Sequence, residues 1–329
     1  MKTLFRLQHL LAAGALAACT QFAAAAALPG PLVTPQWLRQ HRAEVTVVDI
    51  RDDMGSLTQA PRYAVDPKTR ARHLVQTGGH LEGALSVDFG KIRKDKIVDG
   101  KKIVAQLPTA AYFTQVMDSA GLDQGKPVVI VPTGQNVDSM DMAARLYFQL
   151  RYFGEPEGQV AILNGGVNAW LQDGLPVSTQ PIVATRGNWS AGATDAGLLA
   201  TLEQVKQGLR SGSDQFVDAR PIAQFLGIVV KRPVDAAGGH LPGARSLPTE
   251  AIVKPVGAAH VFMSAADYRK IYAEFNIQPD AATVTYCNTG HLASGAWFVD
   301  HEILRNPRTR LYTGSMTEWT HLGNPTRGL

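Results

Sequence analysis

The chain has 329 residues, of which 45% are hydrophobic and 18% are charged, and this balance predicts a folded protein and excludes global disorder. Its length suggests two domains of about 100 to 200 residues each. The formal net charge is +4 and no cluster of lysines or arginines is present, so the sequence gives no support for nucleic acid as a partner.

The first 27 residues have the pattern of an export signal. Lys2 and Arg6 precede an apolar run, which passes into an alanine-rich stretch that ends at Ala27. This pattern predicts a signal peptide over residues 1–27 and therefore a periplasmic or otherwise exported protein. One alternative stays open, because Cys19 closes a segment that resembles a bacterial lipoprotein box, in which the cysteine carries a lipid anchor. Elsewhere the chain has no run of about 18 apolar residues, so we expect no membrane span.

Residues 31–177 are predicted to form a first α/β domain. They contain three apolar runs of strand length, which suit strands that are buried on both faces. These runs cover residues 45–50, 128–131 and 160–163. Residues 140–153, between the last two runs, have the pattern of a helix.

A second domain is predicted over residues 198–329, after a linker. Residues 178–197 are rich in Gly, Ser, Thr and Pro and show no period, as is typical of a linker. In the second domain, helices begin at Thr201 and Ser264 in capping-box patterns. Its predicted strands cover residues 216–219, 283–286 and 310–312, and a further helix covers residues 293–304. Strands that alternate with helices predict, in both domains, a mainly parallel sheet with helices on both faces.

Three short segments occur twice and in the same order, once in each predicted domain. They cover residues 47–51 and 216–220, 78–84 and 238–244, and 165–170 and 314–319. Self-similarity of this kind indicates a duplicated unit. His240 and Trp319 recur as His80 and Trp170, so we assign these side chains to the fold and not to catalysis.

Cysteine usage leaves a single thiol in the mature chain. Cys19 either leaves with the leader or carries lipid, so Cys287 has no partner for an internal disulfide. Cys287 follows a predicted strand and precedes a predicted helix, at the carboxyl edge of a parallel sheet, where open α/β folds bind ligands. The backbone N–H groups of such a turn and the helix N-terminus favour a thiolate, the reactive form of cysteine. The alternative is a buried cysteine that only packs.

These segments resemble the tandem-domain rhodaneses, a family that includes thiosulfate and 3-mercaptopyruvate sulfurtransferases. The resemblance lies in the duplicated unit, the paired Asp-x-Arg and Gly-His-x-x-Gly-Ala segments and the Cys-x-x-Gly loop, and it covers residues 33–325. It implies an α/β fold of two tandem rhodanese-like domains, of which the second is catalytic and the first has lost its cysteine. The sequence agrees, because the loop PTGQN after Val131 contains no thiol.

The resemblance also implies a mechanism with two half-reactions. The Cys287 thiolate takes the sulfane sulfur of a donor, becomes a persulfide, and passes the sulfur to cyanide or a thiol. We favour thiosulfate over 3-mercaptopyruvate as the donor, because it is the more natural anion outside the cytoplasm. No metal or organic cofactor is implied. The expected partners are a small anionic donor and a thiophilic acceptor, and the mature chain is expected to be a monomer.

The active loop and nearby side chains are implied to bind the substrate. The implied residues are Arg220, Asn288, Thr289, Gly290, His291, Leu292 and Ser315. Arg220 can instead form a salt bridge with Asp218 or bond a loop carbonyl. His291 can either titrate near neutral pH beside the anionic donor or face solvent.

Two departures from the family pattern concern the donor's charge. The arginine that usually precedes the aromatic residue after Asp-x-Arg is Gln224 here, and Lys231, Arg232 or His291 are the candidates to replace it. The loop NTGHL after Cys287 has neither the basic residues typical of thiosulfate enzymes nor the Gly-Ser-Gly-Val-Thr run of mercaptopyruvate enzymes. The sequence therefore leaves the donor open.

Three rival functions can be compared with the same loop. A cysteine phosphatase or arsenate reductase needs an arginine after five intervening residues to clamp the oxyanion, and that position is Ala293. A Cys-x-x-Cys redox site is excluded because position 290 is glycine. A non-catalytic sulfur carrier that presents a persulfide to a partner stays open, and Gln224 is its best support.

Overall fold

The computed structural model describes residues 28–329 of the chain. The predicted signal peptide, residues 1–27, and Cys19 lie outside the described residues. No helix among the described residues has both the length and the apolar character that crossing a membrane requires.

The first domain is an alternation of strands and helices around a parallel sheet. Its strands are β1 (Leu32–Val33), β2 (Thr46–Arg51), β3 (Arg62–Val65), β4 (Arg72–Gln76), β5 (Leu85–Asp88), β6 (Lys94–Val98), β7 (Lys101–Gln106), β8 (Val128–Val131) and β9 (Val160–Leu163). Its helices are α1 (Pro35–His41), α2 (Ala110–Ser119), α3 (Val137–Tyr152) and α4 (Gly166–Gln172). The sheet has the order β1-β9-β8-β2-β5, with all neighbours parallel. The pairs β3–β4 and β6–β7 are separate antiparallel hairpins.

The second domain repeats this plan with a smaller sheet. Its strands are β10 (Gln215–Asp218), β11 (Arg245–Ser246), β12 (Lys254–Val256), β13 (Ala259–Val261), β14 (Thr283–Tyr286) and β15 (Thr309–Leu311). Its helices are α5 (Leu202–Ser211), α6 (Ile222–Phe225), α7 (Ala265–Glu274), α8 (Leu292–Trp297), which continues into a π-helical turn at Phe298–Ile303, and α9 (Ser315–His321). The parallel sheet has the order β11-β10-β14-β15, and β12 and β13 form an antiparallel hairpin.

The two sheets share one topology, which confirms the predicted fold class and the duplicated unit. The order β5-β2-β8-β9 in the first domain corresponds to β11-β10-β14-β15 in the second. The N–H of Val167 donates to the Pro132 carbonyl, just as the N–H of Met316 donates to the Cys287 carbonyl. Pro132 therefore stands in the first domain at the position of the thiol in the second.

The element boundaries follow the sequence patterns closely. The strands predicted at residues 128–131, 160–163 and 283–286 are confirmed, and the other three are displaced by one residue. Helix α3 begins at Val137, three residues before the predicted start, because the Asn136 and Ser139 side chains cap each other's backbone N–H groups. The three hairpins were not predicted, since their strands are short and largely exposed.

The segment predicted as a linker has neither helix nor strand over most of its length, but it packs on the first domain. The N–H of Gly187 donates to the Asp118 carbonyl. The Trp189 indole is 2% exposed and donates its N–H to the Glu155 carboxylate at 2.5 Å. These contacts attach the segment to the first domain, and the domain boundaries stay a prediction.

Helix α3 joins the two domains through a shared core. It is buried on almost all sides and packs against α8 of the second domain. Tyr147 and Phe298 lie edge to face with ring centroids 5.0 Å apart, as do Phe148 and Trp297. Apolar side chains of both domains thus form one continuous cluster, and this packing brings α3 up to the loop that carries Cys287.

Candidate active site between the two domains

Cys287 lies in the turn from β14 to α8, at the carboxyl edge of the second sheet. Its Sγ accepts a hydrogen bond from the N–H of Gly290 at 3.1 Å, and the N–H groups of Thr289 and Ala293 are also directed at it. Inward-facing peptide groups of this kind form a cradle that favours negative charge on the sulfur. The position of the thiol and the cradle are those that the sequence predicts.

The thiol is more deeply buried than the sequence analysis expected. Cys287 is 1% exposed and belongs to the main hydrophobic cluster. Burial raises the pKa of the thiol above its usual range, and the N–H groups of Ala293, Thr289 and Gly290 oppose this by a smaller amount. Burial therefore opposes the thiolate that the sequence analysis expects, because the loss of solvation outweighs the peptide dipoles.

Gly290 is the residue on which the cradle depends. Its φ of +80° lies in the left-handed region, which glycine adopts without strain. Its carbonyl accepts hydrogen bonds from Arg145 Nη1 at 3.0 Å and from Ser294 Oγ at 2.6 Å. A Cβ at this position would lie 2.5 Å from Arg145 Nη1 and 3.0 Å from Thr313 Cα, so only glycine fits.

The other predicted loop residues surround the thiol in different ways. Asn288 is buried, and its carbonyl accepts the N–H of Thr317. Thr289 is half-buried, and Leu292 begins α8 and packs against the main cluster. The structure holds these residues in one loop around Cys287, and their contact with a substrate stays a prediction.

Ser315 lies behind the loop. Its side chain is fully buried. Its Oγ accepts the N–H of Cys287 at 3.1 Å and donates to the Tyr312 carbonyl at 2.8 Å. The hydroxyl therefore uses both its donor and its acceptor capacity on backbone groups. The predicted contact of Ser315 with substrate is corrected to a role in holding the turn that precedes the cradle.

Arg220 forms the salt bridge and the bond to a loop carbonyl that the sequence analysis gave as the alternative to substrate binding. Its guanidinium pairs with Asp218, at 2.6 Å from Nη2 and 2.9 Å from Nε, and donates to the Gly239 carbonyl at 2.7 Å. Arg51 makes the same two kinds of contact in the first domain, with Asp49 and a glycine carbonyl. Because the arrangement occurs in the domain without a thiol as well, it is a feature of the fold, and the remaining Nη1 of Arg220 lies 3.8 Å from the Asp235 carboxylate.

Of the two alternatives for His291, titration near neutral pH is disfavoured, because the half-buried ring loses solvation and faces the positive charge of Arg93. Its ring lies 4.6 Å from that of Phe89, and its Nε2 donates to the Asp138 carbonyl at 3.1 Å. Burial lowers the pKa of His291 to about 3, and the positive charge of Arg93 acts in the same direction. At neutral pH the ring bridges the two domains without carrying charge.

We expect His291→Gln to leave the pH dependence of sulfur transfer unchanged between about pH 5 and 8, because the wild-type ring is already neutral there. Since the folded-state pKa lies below that of the unfolded chain, the unfolded chain binds the proton first. The wild type should therefore lose stability relative to the variant as the pH falls from about 6.5 to about 3. Proton NMR of the ring and thermal unfolding against pH measure both effects. A ring that titrates near its usual pKa would contradict this assignment.

Two arginines of the first domain stand near the thiol and were not found from the sequence. Arg93 and Arg145 are both electrostatically coupled to Cys287. Arg145 belongs to the predicted helix 140–153, where Asp141, Arg145 and Gln149 form a polar stripe at four-residue spacing on an otherwise apolar helix. That stripe was the signal that could have identified Arg145.

A polar pocket of about 360 Å³ adjoins the loop from the side of the first domain. Its cations include Arg93, whose guanidinium lies 3.9 Å from the centre of the Phe89 ring, and Lys231, and His291 forms part of its wall. Three residues were predicted to replace the arginine charge that is missing at Gln224. Lys231 and His291 line the pocket, whereas Arg232 does not. A larger cleft of about 640 Å³ near the β3–β4 hairpin lacks Arg93, Lys231 and His291.

The described residues contain no group of three or more His, Cys, Asp and Glu side chains arranged to hold a metal ion.

A model of the family described as "Rhodanese-like domain" matches residues 34–173 and 201–322. A protein of Haloferax volcanii named "Putative thiosulfate sulfurtransferase" is 30% identical over 298 residues, which cover 88% of this chain and 93% of that protein. The "Sulfur carrier protein TtuD" of Thermus thermophilus is 26% identical over 304 residues, covering 89% and 95%. These similarities extend over both domains.

Solved structures show the same fold. The 3-mercaptopyruvate sulfotransferase SseA from Escherichia coli superposes with a TM-score of 0.66 at 22% identity, covering 87% of this chain and 98% of that one. An anaerobic ergothioneine biosynthesis enzyme from Chlorobium limicola superposes with a TM-score of 0.71 at 19% identity, covering 91% and 70%. At these identities the likeness concerns the fold alone.

Proposed function

We propose that this chain, which belongs to the rhodanese-like domain family, is a sulfurtransferase that moves a sulfane sulfur from thiosulfate to cyanide or a thiol through a persulfide at Cys287. The observation that carries the proposal is the cradle at the sheet edge, where the Gly290 N–H lies 3.1 Å from Cys287 Sγ. The relatives named as sulfurtransferases and as a sulfur carrier support this class of chemistry.

The proposed reaction conserves atoms and electrons in each half. The Cys287 thiolate attacks the sulfane sulfur of thiosulfate, the S–S bond of thiosulfate breaks, and sulfite leaves with the bonding electron pair. Cyanide then attacks the outer sulfur of the persulfide, thiocyanate forms, and the thiolate returns. With a thiol as acceptor, the sulfur leaves instead as the acceptor's persulfide.

Two cations of the pocket support an anionic donor. Arg93 and Lys231 supply positive charge on part of the pocket wall, which the carboxylates of Asp52, Asp53 and Asp138 line as well. A small dianion would bind at the two cations, because electrostatic attraction concentrates charged ligands in a cleft. Because burial raises the pKa of the unloaded thiol, the thiol has to lose a proton before attack. We propose that the donor binds against these cations while that proton passes to the water of the pocket.

Access to the sulfur requires movement of the loop. Cys287 is 1% exposed, whereas His291, four residues later, already lines the pocket. The ring of His291 is held to the first domain by one hydrogen bond to Asp138 and by its contact with Phe89. Displacement of this ring would open the path from the pocket to Sγ, which is how active-site loops commonly admit substrate.

A sulfur carrier is the second candidate, and specific observations favour it. Gln224 stands where the family usually has an arginine, the thiol is almost inaccessible, and the relative from Thermus thermophilus is named as a sulfur carrier. A carrier would be loaded with sulfur but would release it slowly to cyanide when its partner is missing. Turnover, measured separately from loading, distinguishes the two.

Donor-dependent loading tests the proposal directly. Incubation with thiosulfate should add about 32 Da, one sulfur atom, to the peptide that contains Cys287, and cyanide should then release thiocyanate over many turnovers. The matched incubation with 3-mercaptopyruvate is expected to load more slowly. Faster loading by 3-mercaptopyruvate would overturn the choice of donor, loading without turnover would establish the carrier, and no loading by either donor would overturn sulfur transfer at Cys287.

Export and a monomeric mature chain belong to the same proposal. Export depends on the pattern of residues 1–27, which lie outside the described residues. The intact mass of protein recovered from the periplasm tests cleavage near Ala27 against a lipid on Cys19, and sedimentation of that protein tests the monomer.

A further inference from the structure

Arg145 of the first domain carries a buried charge that has no carboxylate partner among the described residues. Its side chain is fully buried. Its Nη1 donates to the Gly290 carbonyl at 3.0 Å, whereas Nε and Nη2 have no hydrogen-bond acceptor. Burying a guanidinium without an anion is costly, so the arrangement requires an explanation.

The groups around Arg145 leave one source of negative charge. Asp141, one turn earlier on α3, faces Gly295 of α8 and makes no ion pair with Arg145. Burial, together with the nearby cation Arg93, lowers the pKa of Arg145 to about 9. Cys287 is the acidic group that acts in the opposite direction and raises it. The buried charge is therefore complementary to a negative sulfur at position 287.

We infer that Arg145 is the counter-ion of the persulfide on Cys287, and that the domain without a thiol completes the active site by supplying it. This inference rests on the proposed function, because the anion in question forms when sulfur is loaded. Arg145 is a positioning residue in the unloaded protein, where it holds the Gly290 carbonyl and, through that residue, the N–H that bonds Sγ. On loading, its unused Nε and Nη2 are the donors available to the new charge.

The chemistry of the loaded state explains why the pair forms then. A persulfide is a stronger acid than a thiol, so loading favours an anion at a position where burial raises the pKa of the unloaded thiol. In a site shielded from water, an opposite charge stabilises that anion far more than it would at the surface. The same charge lowers the free energy of the thiolate that attacks the donor.

Two substitutions separate the charge of Arg145 from its hydrogen bond. Arg145→Gln can keep a donor to the Gly290 carbonyl but removes the charge, whereas Arg145→Lys keeps the charge and loses the planar fork. The matched control is Arg151→Gln on the same helix. Arg151 is also buried with donors that lack acceptors, but its charge lies beside Tyr147 and Glu302.

The readout is the pH dependence of Cys287 alkylation by iodoacetamide, in the Cys19→Ser background so that one thiol remains. Arg145→Gln should raise the apparent pKa of the thiol by about one unit or more, the usual effect of removing a nearby opposite charge. Arg145→Lys and Arg151→Gln should stay close to the wild type. Thiosulfate loading should slow by about tenfold in Arg145→Gln alone.

The outcomes distinguish this inference from the proposed function. A purely structural Arg145 predicts the reverse order, with the glutamine variant close to wild type and the lysine variant impaired, and that order would overturn the inference. An equal shift in Arg151→Gln would overturn it too. If Arg145→Gln does not fold, as judged by thermal unfolding, the lysine variant decides, because a shift of about one unit with the charge retained contradicts a counter-ion. A wild type that no donor loads would overturn the proposed function, while the alkylation profile would still test Arg145.

Discussion

Cys287→Ser is expected to form no persulfide with either donor and to lose at least about 10³-fold in sulfur transfer, a loss typical of removing a nucleophile. The N–H groups of the cradle offset only part of the rise in pKa that burial causes for the Cys287 thiol. A serine hydroxyl is far less acidic than a thiol, so at position 287 it stays protonated. Cyanide-dependent thiocyanate release and the mass of the peptide that contains position 287 measure the two losses.

The chain provides its own control for this experiment. Cys287 is the one free cysteine among the described residues, and Cys19 is the other cysteine of the sequence. Cys19→Ser should therefore keep full loading and turnover, and both variants should unfold close to the wild-type temperature because serine nearly matches the shape of the buried thiol. Turnover above background in Cys287→Ser would show that the transferred sulfur is carried elsewhere.

Much of the fold follows from local sequence patterns. The strands β8, β9 and β14 are apolar runs that the chain buries on both faces, and their bounds coincide with the predictions. The duplicated segments predicted a second sheet with the topology of the first. Cys287 was placed at the carboxyl edge of that sheet because a strand, a turn and a helix follow one another there without a gap, which is information contained in about twenty neighbouring residues.

The electrostatics of the site depend on contacts that such patterns do not contain. Arg145 and Gly290 are 145 positions apart, and their hydrogen bond exists only because α3 packs against α8. The same packing buries Cys287 and places the half-buried His291 near Arg93, so their pKa values move in directions that a turn and a helix N-terminus alone would not suggest. Burial is a property of the assembled pair of domains, and sequence reasoning about one loop could not supply it.

Gly290→Ala is expected to slow sulfur loading by at least about 100-fold, the usual cost of losing one donor to a developing anion. The backbone at Gly290 has a φ of +80°, and an added Cβ would meet Arg145 Nη1 at 2.5 Å and the Thr313 Cα at 3.0 Å. The Thr313 backbone cannot yield, so the loop has to shift and the Gly290 N–H moves away from Cys287 Sγ. Loading by thiosulfate, followed by mass spectrometry, measures the effect.

Gly243→Ala separates backbone strain from this collision. Gly243 has a similar φ of +75°, but an added Cβ there would have no heavy atom within 4 Å. The control therefore incurs the left-handed backbone strain, about 1 to 2 kcal/mol, without displacing a neighbouring atom. We expect it to load sulfur at nearly the wild-type rate and to unfold at a lower temperature. Equal loading by the two alanine variants would mean that the position of the Gly290 N–H does not control Cys287, and the cradle would then be a consequence of packing and not a part of the chemistry.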